Sequence, residues 1–287
     1  MKTNRFKYPG FIYFFFASMI IFSSCQEKVN VDKPNNIKYD TINIVDIYHL
    51  DNDSTKPSCS LQINYIAPIG FDNKEVLAKV QNELNYVFFE NEGLAALPPK
   101  EASEKFAELH IKNYKKDIDS LIPAWDETHE SADYYSYYKK LNSEILFDQG
   151  NILSYQAKTW DYRGGANSTT YYINFVFDLK TGKRLYNEDI LKDGYYKILS
   201  QLMVDDILKQ NDAKDIEELR LINGYFGIEE LPDNSNFSVD SKGLTYIFNS
   251  SEIAPPTVGA TKVFIPFESL FMILKDNSPI SHLYQKQ

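Results

Sequence analysis

The stretch Tyr155–Leu191, YQAKTWDYRGGANSTTYYINFVFDLKTGKRLYNEDIL, decides the fold class. An aromatic run (Tyr155, Trp160, Tyr162) ends in Gly164-Gly165. That pair can take positive φ where a β-carbon would clash, so at least one of the two is expected there. A second run, Thr169 to Leu179, sets Tyr171, Ile173, Phe175, Phe177 and Leu179 on one face by period-two alternation. Lys180-Thr181-Gly182-Lys183 then turns the chain, and Asn187 with Glu188 and Asp189 marks a helix start. The order is strand, Gly-rich turn, strand, tight turn, helix.

The flanks extend this pattern. Asp40–Leu50 and Ser58–Ile69 alternate as strands, the second with Leu61, Ile63, Tyr65 and Cys59 on one face. Asp72-Asn73-Lys74-Glu75 has capping-box spacing ahead of Val76, Leu77, Val80, Leu84, Val87 and Phe88 at helical spacing. A second helix is expected from about Glu101 to Ile122, stopped by Pro123. Tyr134–Phe147 returns to period two, with Tyr135, Tyr137, Leu141, Ile145 and Phe147 on one side, and a turn at Asp148–Asn151 leads into Ile152–Tyr162. Further on, a helix follows Asn187 with a break near Gly194, and Asp215–Leu221 is a short helix. Phe237–Val239 with Leu244–Phe248 is a hairpin, Val263–Ile265 a last strand and Phe267–Leu274 a closing helix. Strands and helices come in blocks with short connections. The expected fold is α+β, an antiparallel meander packed on helices, in two subdomains: 39–180 and 181–287.

The first residues address the compartment. Lys2, Arg5 and Lys7 precede an apolar run, Phe11–Phe22, too short for a bilayer span of roughly 20 residues. Ser23-Ser24-Cys25 follows, which resembles the lipobox of bacterial lipoproteins. The expectation is a signal peptide over 1–24, lipidation at Cys25, and a flexible polar tether over 25–38. The protein would then be extracytoplasmic and held to the membrane by its lipid. In a Gram-negative host, Gln26-Glu27 resembles lipoproteins sorted to the outer membrane. With Cys25 lipidated, Cys59 has no disulfide partner and reads as a small buried hydrophobe. A net charge of −10 argues against nucleic acid as a partner.

Catalytic motifs are missing. His49, His110, His129 and His282 are scattered, without the i, i+4 pair of a helical metal site. There is no G-x-S-x-G elbow, phosphate-binding Gly loop or Ser-x-x-Lys. Asp126-Glu127-Thr128-His129-Glu130 reads as a solvated acidic loop, whose carboxylates an enzyme alternative would use, and Asp205-Asp206 point in different directions on a helix and form no dyad by themselves. No catalytic residue, metal or cofactor is assigned. The aromatic content stands out: 21 Tyr and 19 Phe. Tyr134, Tyr135, Tyr137 and Tyr138 crowd one presumed strand and Tyr171-Tyr172 another, so both faces of the sheet carry phenols. One face is then either open to a ligand or covered by the second subdomain.

Several short motifs, in order, resemble a known pair of domains. They are Gly164-Gly165-Ala166-Asn167; Asn174-Phe175; Phe177 through Leu185; Glu188-Asp189-Ile190-Leu191; Lys242-Gly243-Leu244 with Tyr246-Ile247-Phe248; Glu252-Ile253-Ala254-Pro255; and Val263 through Phe267. These resemble the paired extracytoplasmic domains of unknown function in the RsiV anti-sigma factor and in PdaC-type peptidoglycan deacetylases. Asn167 and Ser251 stand where that family commonly has His and Tyr. The resemblance implies an α+β module outside the cytoplasm without an assigned activity of its own; in the deacetylases catalysis lies in a separate domain to which nothing here corresponds, and in the anti-sigma factor the module is a lysozyme receptor. The expected function is a lipid-anchored envelope module that binds a cell-wall glycan, such as a peptidoglycan fragment, or a protein such as lysozyme. Tyr135, Tyr137, Trp160, Tyr162, Arg163, Asn167 and Tyr172 are the candidate contacts. The alternatives are an envelope glycan deacetylase or hydrolase, and an accessory structural subunit.

Overall fold

The computed structural model describes residues 33–121, 131–165 and 167–285. The expected leader, Cys25, most of the expected tether and the Asp126–Glu130 segment lie outside the described residues. The fold is α+β: a six-stranded sheet, a three-stranded sheet, and helices between and around them. The first sheet runs β1 (Lys38–His49), β2 (Ser58–Gly70), β3 (Tyr137–Gln149), β4 (Ile152–Arg163), β5 (Thr169–Asp178) and β6 (Lys183–Arg184), side by side in chain order. Every pair is antiparallel except β2 with β3. A parallel pair needs a long crossover. Here it carries α1 (Lys74–Phe89), α2 (Glu92–Ala95) and α3 (Pro99–Leu121).

That crossover fills one face of the sheet. Val76, Val80, Leu84, Phe88 and Phe89 of α1 pack on Leu61, Ile63 and Tyr65 of β2, Tyr155 of β4 and Phe175 and Phe177 of β5. Tyr65 stacks on Phe88 at 4.6 Å between ring centroids, and its hydroxyl donates to Asn85 Oδ1 at 3.0 Å. Asn85 Nδ2 in turn donates to the carbonyls of Ala95 and Leu97, which ties α2 to the core. The N-cap of α1 is Asn73 rather than Asp72: its side chain accepts from the amides of Glu75 and Val76 at 3.1 and 3.2 Å. Cys59 is fully buried on this same face, and desolvation pushes its thiol pKa up to about 12.

β3 differs from the alternation read in the sequence. Ala132–Tyr135 is a 3-10 turn, so Tyr134 and Tyr135 are not strand residues and β3 begins at Tyr137. Near its other end the register shifts between Ile145 and Phe147. Such a bulge inserts one residue and turns the following side chains to the opposite face. Ile145 therefore joins the helix-side core, whereas Phe147 packs into a second core on the other side.

The second core belongs to the C-terminal part. It lies among α5 (Tyr196–Gln210), α6 (Ile216–Asn223) and the antiparallel sheet β7 (Phe237–Val239), β8 (Gly243–Phe248) and β9 (Thr261–Pro266). The helix before it, α4 (Asn187–Ile190), places buried Asn187 so that it accepts from the Tyr246 hydroxyl and donates to Asp233 and the Asn234 carbonyl. The closing helix, α7, is shorter than its sequence pattern, Phe267–Leu270, and α8 (Ser281–Tyr284) ends the described chain. Ile152 and Val176 of the large sheet reach into this core, and Ser154 on β4 exchanges hydrogen bonds with the Val239 backbone, donating at 2.6 Å and accepting at 3.0 Å. The C-terminal sheet thus covers the helix-free face over β4 and β5 only around these residues. On that side β1, β2 and the part of β3 before its bulge are left open, with the end of β4 around Trp160 and Tyr162, while Phe147 of β3 lies in the second core and Tyr172 of β5 borders the C-terminal part.

Candidate functional site

The open face is built from three rows of residues paired across the strands. One runs Val45, Gln62, Lys140, Trp160, Thr170; the next Asn43, Asn64, Asn142, Lys158, Tyr172; the third Ile47, Ser60, Tyr138, Tyr162. At ordinary strand spacing, five strands make a platform about 19 Å across, with rows about 6.6 Å apart. Its β1 end is well exposed: Val45 is 68% and Ile47 55% accessible. At the other end the rings are half-buried and held. Tyr138 and Tyr162 stack, 5.7 Å between centroids and 14° between planes. The Tyr138 hydroxyl donates to Asp133 Oδ1 at 2.9 Å, and that of Tyr162 to the carbonyls of Asp133 and Gly165 at 3.1 and 3.2 Å. A shallow cleft of about 310 Å³ opens here, lined by Asp133, Tyr138, Trp160, Tyr162 and Ser168.

The glycine turn shapes that cleft. Gly164 and Gly165 both have positive φ, +73° and +78°. A β-carbon on Gly164 would lie 1.9 Å from the Tyr134 carbonyl oxygen, whereas none of the surroundings of Gly165 comes within 4 Å. Gly164 therefore lets the β4–β5 turn sit against the 3-10 turn that carries Asp133.

Asparagines hold the β5 end. The outer edge of β5 has no neighbouring strand beyond its short pairing with β6. Asn249 Oδ1 accepts from the Tyr172 amide and Asn236 Oδ1 from the Asn174 amide, both at 2.7 Å. The side-chain amides of Asn236 and Asn249 donate back to the Tyr172 carbonyl at 2.9 and 3.1 Å. Two side chains do what a strand would do, capping an edge and fixing Tyr172 in place.

Of the candidate contacts, the structure brings together Trp160, Tyr162 and Tyr172 on the open face. Tyr155 is five residues from Trp160, so it points the other way and is buried under α1. Tyr135 and Tyr137 also lie on the helix side, where Tyr137 meets Tyr114 of α3 edge-on at 5.1 Å. Arg163 is exposed and pairs with Asp161 at 3.3 Å, beside the buried Lys139–Asp161 pair at 3.1 Å. Asn167 is exposed in the turn after the glycines. Nearby on α3, His110 stacks on Phe106, and burial lowers its pKa. Sequence reading missed Tyr138, Asp133 and three lysines: Lys140 lies over Trp160 at 5.3 Å, and Lys158 and Lys262 over Tyr172 at 5.4 and 5.6 Å. The signal was available in part. Lys158, Trp160 and Tyr162 share one parity, as do Tyr138 and Lys140.

The fold and face define an α+β protein with a half-open sheet bearing rings and lysines. Comparison with known families places a DUF3298 domain, a domain of unknown function, over residues 188–268. This segment is the C-terminal sheet with α5 and α6. The chain is similar to the crystal structure of a DUF3298 family member from Bacteroides fragilis, at 25% identity and a TM-score of 0.80, covering 88% of this chain and 100% of that one. It shares its fold with a DUF3298 family protein from Pseudomonas aeruginosa, at 12% identity and a TM-score of 0.57, over 87% and 98% of the two chains. No curated protein matches the chain.

Proposed function

We propose that this chain is a non-catalytic binding module of the bacterial cell envelope, anchored by lipid at Cys25, that holds a cell-wall glycan strand on the open face of its large sheet. The observation that supports this reading is the platform itself. Rings at Trp160, Tyr162, Tyr138 and Tyr172 adjoin rows of amide side chains at Asn43, Asn64, Asn142 and Gln62. Apolar sugar faces stack on aromatic rings, and hydroxyls bond to amides. The RsiV-like and PdaC-type resemblance supports an envelope location. Rings set beside rows of amides match the alternating apolar faces and hydroxyls of a sugar chain, which favours a glycan over a protein such as lysozyme. The hydrolase or deacetylase alternative rests on the Asp126–Glu130 carboxylates, outside the described residues.

The test is co-sedimentation with purified peptidoglycan sacculi, beside titration with lysozyme. Trp160→Ala and Tyr162→Ala should each weaken sedimentation by about tenfold or more, a stacking contribution of 1–3 kcal/mol. Asn167→Ala should leave it unchanged. Retention of both aromatic variants at wild-type strength would refute the site, and tight lysozyme binding with no sacculus binding would move the reading to a protein receptor. Cys25→Ala should release the protein from membranes; a mutant that still fractionates with membranes after leader cleavage would refute the anchor.

A further inference from the structure

The glycan reading leaves the lysines of the open face unexplained. Across the whole chain, acidic residues outnumber basic ones, 40 Asp and Glu against 30 Lys and Arg. Yet Lys140, Lys158 and Lys262 converge on two rings. Lys140 faces Trp160 across β3–β4, and Lys158 is two residues before Trp160 on β4. That makes the two lysines diagonal neighbours, with Cα atoms about 7–8 Å apart. Lys262 comes from the other sheet, on β9, to share the Tyr172 ring with Lys158. Among the described residues, none of the three has a carboxylate within ion-pair distance. The acids around them are committed or displaced: on the Lys262 side Asp206 accepts from the Phe264 amide and Glu252 from the Asn249 amide. Asp133 accepts from the Tyr138 hydroxyl, and Glu144 lies two rows from Lys140, opposite Gln156.

Like charges at this spacing repel, and a fold can relieve that repulsion with an interspersed carboxylate, as Asp161 does for Lys139 on the other face. This face does not. Each ammonium group keeps donors free above a ring, at a height where a bound sugar's substituents would project. We infer, on the glycan reading above, that the ligand is an acidic glycan, a polysaccharide bearing carboxylates along its length. On binding, Lys140, Lys158 and Lys262 swing from the rings to the carboxylates, and the faces of Trp160 and Tyr172 that they leave take the sugars. Selectivity then resides in the lysines and affinity for sugar in the rings.

The experiment uses the full chain in detergent and three immobilised polymers. Polygalacturonate carries sugar and charge, its full methyl ester sugar without charge, and polyacrylate charge without sugar. Polygalacturonate should bind at least about tenfold tighter than the ester, as expected for charge-assisted hydrogen bonds, and polyacrylate should bind weakly. The double variant Lys140→Gln/Lys158→Gln should bind acid and ester alike, with an unchanged melting temperature. Equal wild-type binding of acid and ester would overturn the inference and leave the glycan reading standing. Polyacrylate bound as tightly as polygalacturonate would overturn it in favour of plain charge attraction. Retention by neither sugar polymer would overturn the inference, while the glycan reading stands or falls on the sacculus sedimentation above.

Discussion

Adding a single methyl group at Gly164 and at Gly165 separates two physical effects that the sequence presents as one. Both residues sit in the left-handed region, so alanine costs about 1 kcal/mol at either position, partly offset by about 0.5 kcal/mol from a less flexible unfolded chain. Gly165→Ala should therefore lose about 0.5–1 kcal/mol, because its new β-carbon meets nothing within 4 Å. At Gly164 the same carbon would sit 1.9 Å from the Tyr134 carbonyl oxygen, and that oxygen belongs to backbone. Backbone cannot swing aside as a side chain can. To restore van der Waals contact, one turn must move by well over 1 Å, and the 3-10 turn is pinned through the Tyr138 and Tyr162 hydroxyls to Asp133. Gly164→Ala should then cost a further 2 kcal/mol or so, in the range of overpacking. The assay is urea unfolding of both variants, read as midpoints at constant slope. For a chain of this size, thermal unfolding should separate the two by about 4–8 °C. Equal midpoints would refute the reasoning, since φ strain alone would then account for both. A loss at Gly165 larger than at Gly164 would show that the turn packs differently against Tyr134.

Two further outcomes follow from hydrogen bonds away from the cleft. Asn236→Ala removes the acceptor of the Asn174 amide and one donor to the Tyr172 carbonyl, and should cost about 1–3 kcal/mol while speeding hydrogen exchange at Asn174; unchanged exchange there would show that water or Asn249 replaces the cap. Asp148 accepts from Asn35 and Tyr39, yet desolvation outweighs both bonds and raises its pKa above the ordinary 3.8. The folded state then holds the proton more tightly, so this group's contribution to stability is greatest below 3.8 and declines as pH rises through the raised value. Asp148→Asn should flatten that decline, seen as melting temperatures measured from below 3.8 to neutrality; parallel curves for the two proteins would refute it.

Much of the fold was legible because one face of each strand is dry. Leu61, Ile63 and Tyr65 alternate with Gln62 and Asn64, and that run became β2; in β5, Phe175 and Phe177 share the helix-side face, while Val176 between them is buried in the second core. Gly150-Asn151, both with positive φ, close the β3–β4 hairpin that the turn residues announced. The parallel β2–β3 pair was not legible. Nothing in a strand's own residues states which neighbour lies beside it, and the three helices between them set that pairing. The bulge at Leu146 was hidden for a related reason. Ile145, Leu146 and Phe147 are all apolar, so a change of face leaves no polar residue out of phase.

The site was harder to read for a reason of charge and parity. In a sheet that is covered on one side and half-covered on the other, tyrosines fall on both faces, and counting them does not say which are wet. Tyr135 and Tyr137 are as aromatic as Tyr138 and Tyr162, but the former pair rests under α3 while the latter lines a cleft. The charges between the rings are what distinguish the two faces. On the helix side Lys139 is buried, and its charge is matched by Asp161; on the open side Lys140 and Lys158 project without such a match. An unpaired lysine in water costs little, so composition alone gives no reason to notice it. It becomes informative only when cross-strand register sets it over a ring beside a second lysine. That register depends on the parallel pair and the bulge, the two features the sequence conceals.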